Sequence, residues 1–234
     1  HYWALPFPKS DKDTININAS TTITNFINIF ISFFKKPKIG VVISFILLYR
    51  FGEAQLVKIA PLFLLDSLEN GGLAMTTTQY GFAYGTLGTI MLTLGGILGG
   101  FIVAKNGLKS WIIWMALAMK LPDLLYVFMA GAQIENYLLI IFFIAIEQFG
   151  YGFGFTSYLL YMMMTAEGKH KTAHYALCTG FMALGMMLPG MFSGLLQETI
   201  GYYYFFIWVM FATIPGLLII RYLPMESNYG KRNH

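Results

Sequence analysis

The chain has 234 residues and a net charge of +4; 57% of it is hydrophobic, 17% aromatic and only 11% charged, and its mean hydropathy is +0.62. That composition excludes an ordinary soluble domain, and it argues against a nucleic-acid partner, because the cations sit beside apolar stretches rather than on a polar face. The single cysteine, Cys178, lies in apolar sequence, has no internal disulfide partner and reads as packing.

The chain opens on HYWALPFP, with no methionine before Met75, and reads as part of a longer protein without a signal-peptide pattern at its start. Residues 1–36 are expected to form a linker, polar and irregular through residue 23. Within it the run TNFINIFISFF at 24–34 places Phe26, Phe30, Phe33 and Phe34 on one helical face, just before Lys35, Lys36 and Lys38. Two readings stand: a short helix lying on a membrane surface with a basic edge, or the overhanging first turns of the next span.

Six apolar segments follow, at about 38–65, 78–104, 109–131, 136–164, 172–196 and 201–223, each long enough to cross a bilayer. The expected fold class is an all-α membrane protein, with a transmembrane bundle over 37–224 and a short tail over 225–234. Lys35, Lys36 and Lys38 precede the first segment, Lys105 and Lys109 join the second to the third, Lys169 and Lys171 join the fourth to the fifth, and Arg221, Lys231 and Arg232 follow the sixth. The remaining joints carry Asp66, Glu69, Glu135 and Glu198 and no lysine or arginine. By the positive-inside rule both ends of the chain are expected in the cytoplasm. Glycines four apart (Gly81 and Gly85, Gly95 and Gly99, Gly96 and Gly100, Gly150 and Gly154, Gly190 and Gly194) are expected at close helix contacts, and Pro122, Pro189 and Pro215 at kinks.

The first segment carries Arg50, Glu53 and Lys58 near its middle. Each ionised group there costs roughly 2.5–3.5 kcal/mol on insertion scales, so all three are expected to face one interior or one water-filled cavity. Arg50 and Glu53, three residues apart, read either as a proton-coupling pair or as a static bridge. Lys120 and Asp123, around Pro122, form a second pair at the same spacing and can neutralise each other locally. Glu147 and Gln148 lie in the middle of the fourth segment with Gly150, Gly152 and Gly154 beyond them, and Tyr151, Thr156 and Tyr158 add hydroxyls. This favours a polar solute such as a sugar or peptide, with a helix-to-helix hydrogen bond as the plainer reading. Glu167, His170 and His174 fall on one helical face, yet their lysine-rich surroundings favour loop contacts, or solute recognition by His174, over a metal. Tyr202, Tyr203, Tyr204 and Trp111 read as interfacial anchors. No nucleophile motif, phosphate loop or zinc signature appears, so neither a metal nor another cofactor is expected.

The second joint, GGFIVAKNGLKSW, resembles the cytoplasmic motif of the major facilitator superfamily, with Gly100, Lys105, Gly107 and Lys109 matching and Ala104 standing where the motif has an acid. Within that superfamily the chain looks most like the AmpG-type muropeptide permeases, through FFKKP, FILLYRFGEA, PLFLL, AIEQFGYGFG, TAHYAL and IPGLLIIRYLP in order. The resemblance implies a six-helix carboxy-terminal half of a twelve-span fold, with the amino-terminal half as its partner, in the bacterial inner membrane. It implies proton-driven import of anhydromuropeptides, although similar transporters carry acetyl-CoA or other solutes. By resemblance, Arg50 and Glu53 match a basic and an acidic residue of the seventh span, and Glu147 with Gln148 an acid–amide pair of the tenth. Lys58, Lys120, Asp123 and His174 have no counterpart in the resemblance and are solute-contact candidates by burial alone. A membrane-embedded enzyme using Glu147 on a lipid-linked substrate, and a complete six-span protein that dimerises, are the rival readings.

Overall fold

In the computed structural model, residues 19–232 are described, with side chains from residue 27 onward. The reading of 1–18 as linker, the side chain of Phe26 and the last two residues of the tail lie outside the described residues. The chain divides into two units, His1–Lys36 and Pro37–His234. In the first, α1 (Ala19–Phe34) begins five residues before the expected start at Thr24, and it carries exposed Phe30 and Phe34 with their rings 5.0 Å apart.

In the second unit every regular element among the described residues is helical, as the fold class requires. The first run consists of α2 (Ile39–Leu48) and α3 (Phe51–Leu65), separated at Arg50, whose φ of −103° and ψ of 9° leave the helical region. The second run is α4 (Thr77–Tyr80), a π-helical stretch Gly81–Gly88 and α5 (Thr89–Asn106). The third is α6 (Leu108–Lys120), a 3₁₀ turn Leu121–Asp123 around Pro122 and α7 (Leu124–Ala132). The fourth is α8 (Tyr137–Ala166), capped by Asn136, whose side chain accepts the Leu138 N–H at 3.0 Å.

The last run, α9 (Lys171–Ile219), is continuous in hydrogen bonding but contains Gly201 at φ 75°, ψ 167°. With its terminal turn this run has 52 residues, about 78 Å of helix against a hydrocarbon core of roughly 30 Å. Gly201, in a conformation that L side chains rarely adopt, splits it into two helices, giving six helical runs of spanning length among the described residues. Pro122 coincides with a break, whereas Pro189, Pro215 and also Pro61 lie inside helices that continue past them.

Between the first two runs the chain folds back on the end of α3, where the N–H groups of Leu73 and Met75 bond the carbonyls of Phe63 and Leu64 at 2.9 and 2.8 Å. Asp66 closes this turn, and hydrogen bonds from the Asn70 amide and the Ser67 N–H hold its carboxyl below the usual range.

The helices pack where glycines strip away side chains. A Cβ on Gly95 or Gly152 would run into the backbone of Phe149 or Leu92, which fixes α5 against α8. On the other face of α8, Gly150 meets the Ala118 carbonyl and Gly154 meets Met115 and Met119 of α6. The α2–α3 break is pinched by α9: a Cβ on Gly185 would lie 2.9 Å from the Leu47 carbonyl, and one on Gly216 would lie 2.6 Å from that of Leu48. The glycine reading is corrected at Gly81, Gly85, Gly100 and Gly194, where nothing lies within 4 Å, because the four-residue interval does not say which face of a helix meets a neighbour.

Gly154→Val is expected to destabilise the full-length protein by about 1–3 kcal/mol in thermal unfolding, because the added carbons meet the Met115 carbonyl, which would stand 2.5 Å from the Cβ. Gly194→Ala, in open space, is expected to change stability by less than about 0.5 kcal/mol.

Candidate functional site

The centre of the site is the Glu53 carboxylate, in the first turn of α3, where the interrupted helix offers free N–H groups and a favourable dipole. The Arg50 Nη2 donates to its Oε1 at 3.3 Å, and the Lys120 Nζ, from the end of α6, donates to its Oε2 at 3.2 Å. All three side chains are 5% exposed or less. Arg50 also donates to the Tyr151 hydroxyl at 2.6 Å and lies over the ring of Phe155 at 4.8 Å, while Lys120 lies 5.4 Å from the ring centre of Tyr49. One carboxylate thus ties α3 to α6 directly and to α8 through Arg50.

A second polar group lies beside the first. The Gln148 Nε2 donates to the Glu147 Oε2 at 2.9 Å, and the hydroxyls of Tyr84 and Tyr126 bond each other. A cavity of about 220 Å³ is lined by Glu147, Gln148, Tyr80, Tyr84 and Tyr151 on one side and by residues of α3, among them Leu56 and Pro61, on the other. Tyr151 belongs to both groups: it borders the cavity and accepts the hydrogen bond from Arg50. Aromatic faces with an adjoining acid and amide suit a polar solute with apolar ring faces.

The structure therefore brings together Arg50, Glu53, Lys120, Glu147, Gln148 and Tyr151. The expected bridge between Lys120 and Asp123 is not among the ion pairs of the described residues, because Lys120 turns to Glu53 on another helix. Asp123 stays buried nearby, with no hydrogen-bond partner at its Oδ2. Lys58 does not join Arg50 and Glu53. Five residues beyond Glu53 it is turned about 140° around α3, and it lines a separate pocket of about 440 Å³ against Met186, Met187 and Met191 of α9.

His174 is buried at the start of α9, twelve residues before Met186, whose sulfur meets Arg50; that is about 18 Å along the helix from the ion cluster. Thr156 and Tyr158, expected to add hydroxyls to the solute wall, instead bond helix backbones, the Gly152 carbonyl at 2.9 Å and the Ile46 carbonyl at 2.8 Å. Among the described residues no group of three or more His, Cys, Asp or Glu is placed to hold a metal ion.

Sequence reasoning missed Tyr49, Tyr84 and Tyr126. The available signals were the tyrosine directly before Arg50, and a tyrosine among the glycines of Gly81–Gly88, where a π turn re-aims a side chain. At the α5–α6 joint, Gly107 takes φ 85° and ψ 151°, with Lys105 and Lys109 exposed on either side. The chain after the last helix lies across this joint: the Arg232 N–H bonds the Ala104 carbonyl at 2.8 Å, and the Leu108 N–H bonds the Tyr229 carbonyl at 3.0 Å. Burial, and then the neighbouring Glu167, push the Tyr229 hydroxyl above its usual range, so the same tail also reaches the joint between α8 and α9.

Six helical runs of spanning length among the described residues, with a buried cluster of charges and a polar cavity between them, define an all-α, multi-pass membrane protein. The comparisons bear out the resemblance to AmpG-type transporters. The chain is 29% identical over 226 residues to a protein of Rickettsia prowazekii named "Putative transporter AmpG 2", an alignment covering 95% of this chain and 52% of that one. It is 24% identical over 219 residues to "Putative transporter AmpG 4" of Rickettsia conorii, covering 93% and 51%, and 27% identical over 179 residues to "Putative transporter AmpG 1" of Rickettsia felis, covering 76% and 39%. The chain spans about half the length of the curated relatives it matches. No family model matches it.

Glu53→Gln leaves Arg50 and Lys120 buried without their shared carboxylate, whereas Lys120→Met leaves the Arg50–Glu53 pair in place. Thermal unfolding of the two full-length variants is expected to show the larger loss for Glu53→Gln, in the range of about 3–5 kcal/mol for breaking a buried pair.

Proposed function

We propose that this chain is the carboxy-terminal half of a proton-coupled symporter that imports a polar solute, anhydromuropeptides for cell-wall recycling in particular, across the bacterial inner membrane. The observation that supports this reading best is the link from the Glu53 ion cluster, through the Arg50–Tyr151 hydrogen bond, to the cavity lined by Glu147 and Gln148. A proton on Glu53 would weaken its hold on Arg50 and Lys120, and Arg50 would then shift Tyr151 at the edge of the solute cavity. Coupling follows from that shared residue.

In this proposal Glu53 takes the coupling proton with Arg50 as its counter-charge, and Glu147, Gln148 and Tyr151 hold the solute between this half and an amino-terminal half of the same protein. In this reading both ends of the chain are cytoplasmic, which the lysine and arginine positions favour. The α5–α6 joint with Gly100, Lys105, Gly107 and Lys109 moves with the alternation of access. Lys58 and His174 lie outside the cavity and take no part in it.

Uptake of labelled anhydromuropeptide into vesicles carrying the full-length protein is expected to require an inward proton gradient, and Glu53→Gln is expected to abolish the gradient-driven part. Glu147→Ala is expected to raise the KM for uptake by about 10- to 100-fold, the loss of hydrogen bonds to a buried charged or polar group. Uptake indifferent to the gradient, by folded and inserted protein, would overturn the proton-coupled reading.

A further inference from the structure

Of the three buried acids among the described residues, Glu53 is paired with two cations, Glu147 accepts from Gln148, and Asp123 alone has an oxygen, Oδ2, without a hydrogen-bond partner. Asp123 is 2% exposed. An ionised carboxylate so placed is costly unless a cation reaches it, and a neutral one carries a proton. The ionisable groups around it are Lys120 on its own helical run, Glu53 from α3, Glu147 from α8, and the hydroxyls of Tyr84 and Tyr126.

The local backbone determines which of these can come closer. Leu121–Asp123 is a 3₁₀ turn with Lys120 as its N-cap, and in such a turn side chains three apart lie on the same side. Lys120 and Asp123 are therefore aligned, although the ammonium is drawn away to Glu53 at 3.2 Å. The lysine stem is flexible, and Lys120 already acts electrostatically on Asp123 from its place on Glu53. With Lys120 on Glu53, Arg50 is also held by Tyr151, Met186 and the ring of Phe155.

We infer that Asp123 is a second proton-carrying carboxyl of the transport cycle: Lys120 alternates between Glu53 and Asp123, and the acid it leaves holds the proton. In the arrangement described, the ammonium sits on Glu53 and the proton on Asp123. In the alternate arrangement the O–H bond of Asp123 breaks and its proton leaves to water as Lys120 arrives, while a proton from water forms an O–H bond on Glu53. The summed charge of Arg50, Lys120, Glu53 and Asp123 is the same in both, so neither arrangement adds an uncompensated charge to the interior. The inference rests on the proton-coupled reading and adds to it the residue that receives Lys120.

The test uses full-length protein in proteoliposomes with labelled anhydromuropeptide, and infrared spectroscopy of the same preparations. Asp123→Asn is expected to lower gradient-driven accumulation about tenfold or more while solute exchange across the vesicle membrane persists, which also certifies folding. The infrared absorption of protonated carboxyls at neutral pH is expected to lose one component in Asp123→Asn relative to the unsubstituted protein and to keep it in Asp123→Glu. Unchanged accumulation in Asp123→Asn would overturn the inference, as would a protonated-carboxyl band indifferent to that substitution, or loss of exchange along with accumulation in folded protein. Should the unsubstituted protein show no gradient-driven uptake, the proton-coupled reading fails on that result alone, and the band still decides whether Asp123 holds a proton.

Discussion

The placement of charge inside a bilayer governs this structure more than any other constraint. Glu53 is shared between Arg50 and Lys120, so three groups that are each expensive in hydrocarbon are placed against one another on converging helices. Several otherwise odd features serve that arrangement. The first span is broken at Arg50, which frees the guanidinium to reach Glu53, Tyr151 and Met186 together. The break survives because Gly185, Gly216 and Gly52 let α9 press directly against it, with a Cβ on Gly52 standing 2.8 Å from the Val209 carbonyl. Aromatic rings close the remaining sides, Phe155 over Arg50 and Tyr49 beside Lys120.

The helix α8 carries the consequences outward. One face is stripped by Gly152 for α5 and another by Gly150 and Gly154 for α6, so its backbone is fixed on both sides. Between those contacts it holds Glu147, Gln148 and Tyr151 at the level of the ion cluster. A rigid helix with a polar centre can transmit a change in charge at Glu53 to the wall of the cavity without deforming the rest of the bundle.

Much of this was legible in the sequence, and the failures have physical reasons. Hydropathy and loop charge gave the helical runs, including the division near Gly201 that continuous hydrogen bonding hides. Arg50 and Glu53 were readable as a pair because their three-residue spacing lies within one span. Lys120 was readable beside Asp123 by the same spacing, but its direct partner is Glu53, 67 residues away, because spacing sees only partners on one's own helix. Lys58 was placed with the cluster because all three charges share one span, yet it stands about 140° from Glu53 around α3 and faces α9 instead. Tyr84 and Tyr126 looked like ordinary aromatics, because the π turn that aims one of them has no residue pattern beyond its glycines.

The tail across the α5–α6 joint has a consequence for how such proteins diverge. The acid absent at Ala104 would act through its side chain, whereas the bonds seen here, Arg232 N–H to Ala104 and Leu108 N–H to Tyr229, run from main chain to main chain. Main-chain bonds do not depend on residue identity. A fastening of that kind tolerates drift in every side chain along it, so the joint can stay tied to the segment after the last helix whatever residue stands at position 104.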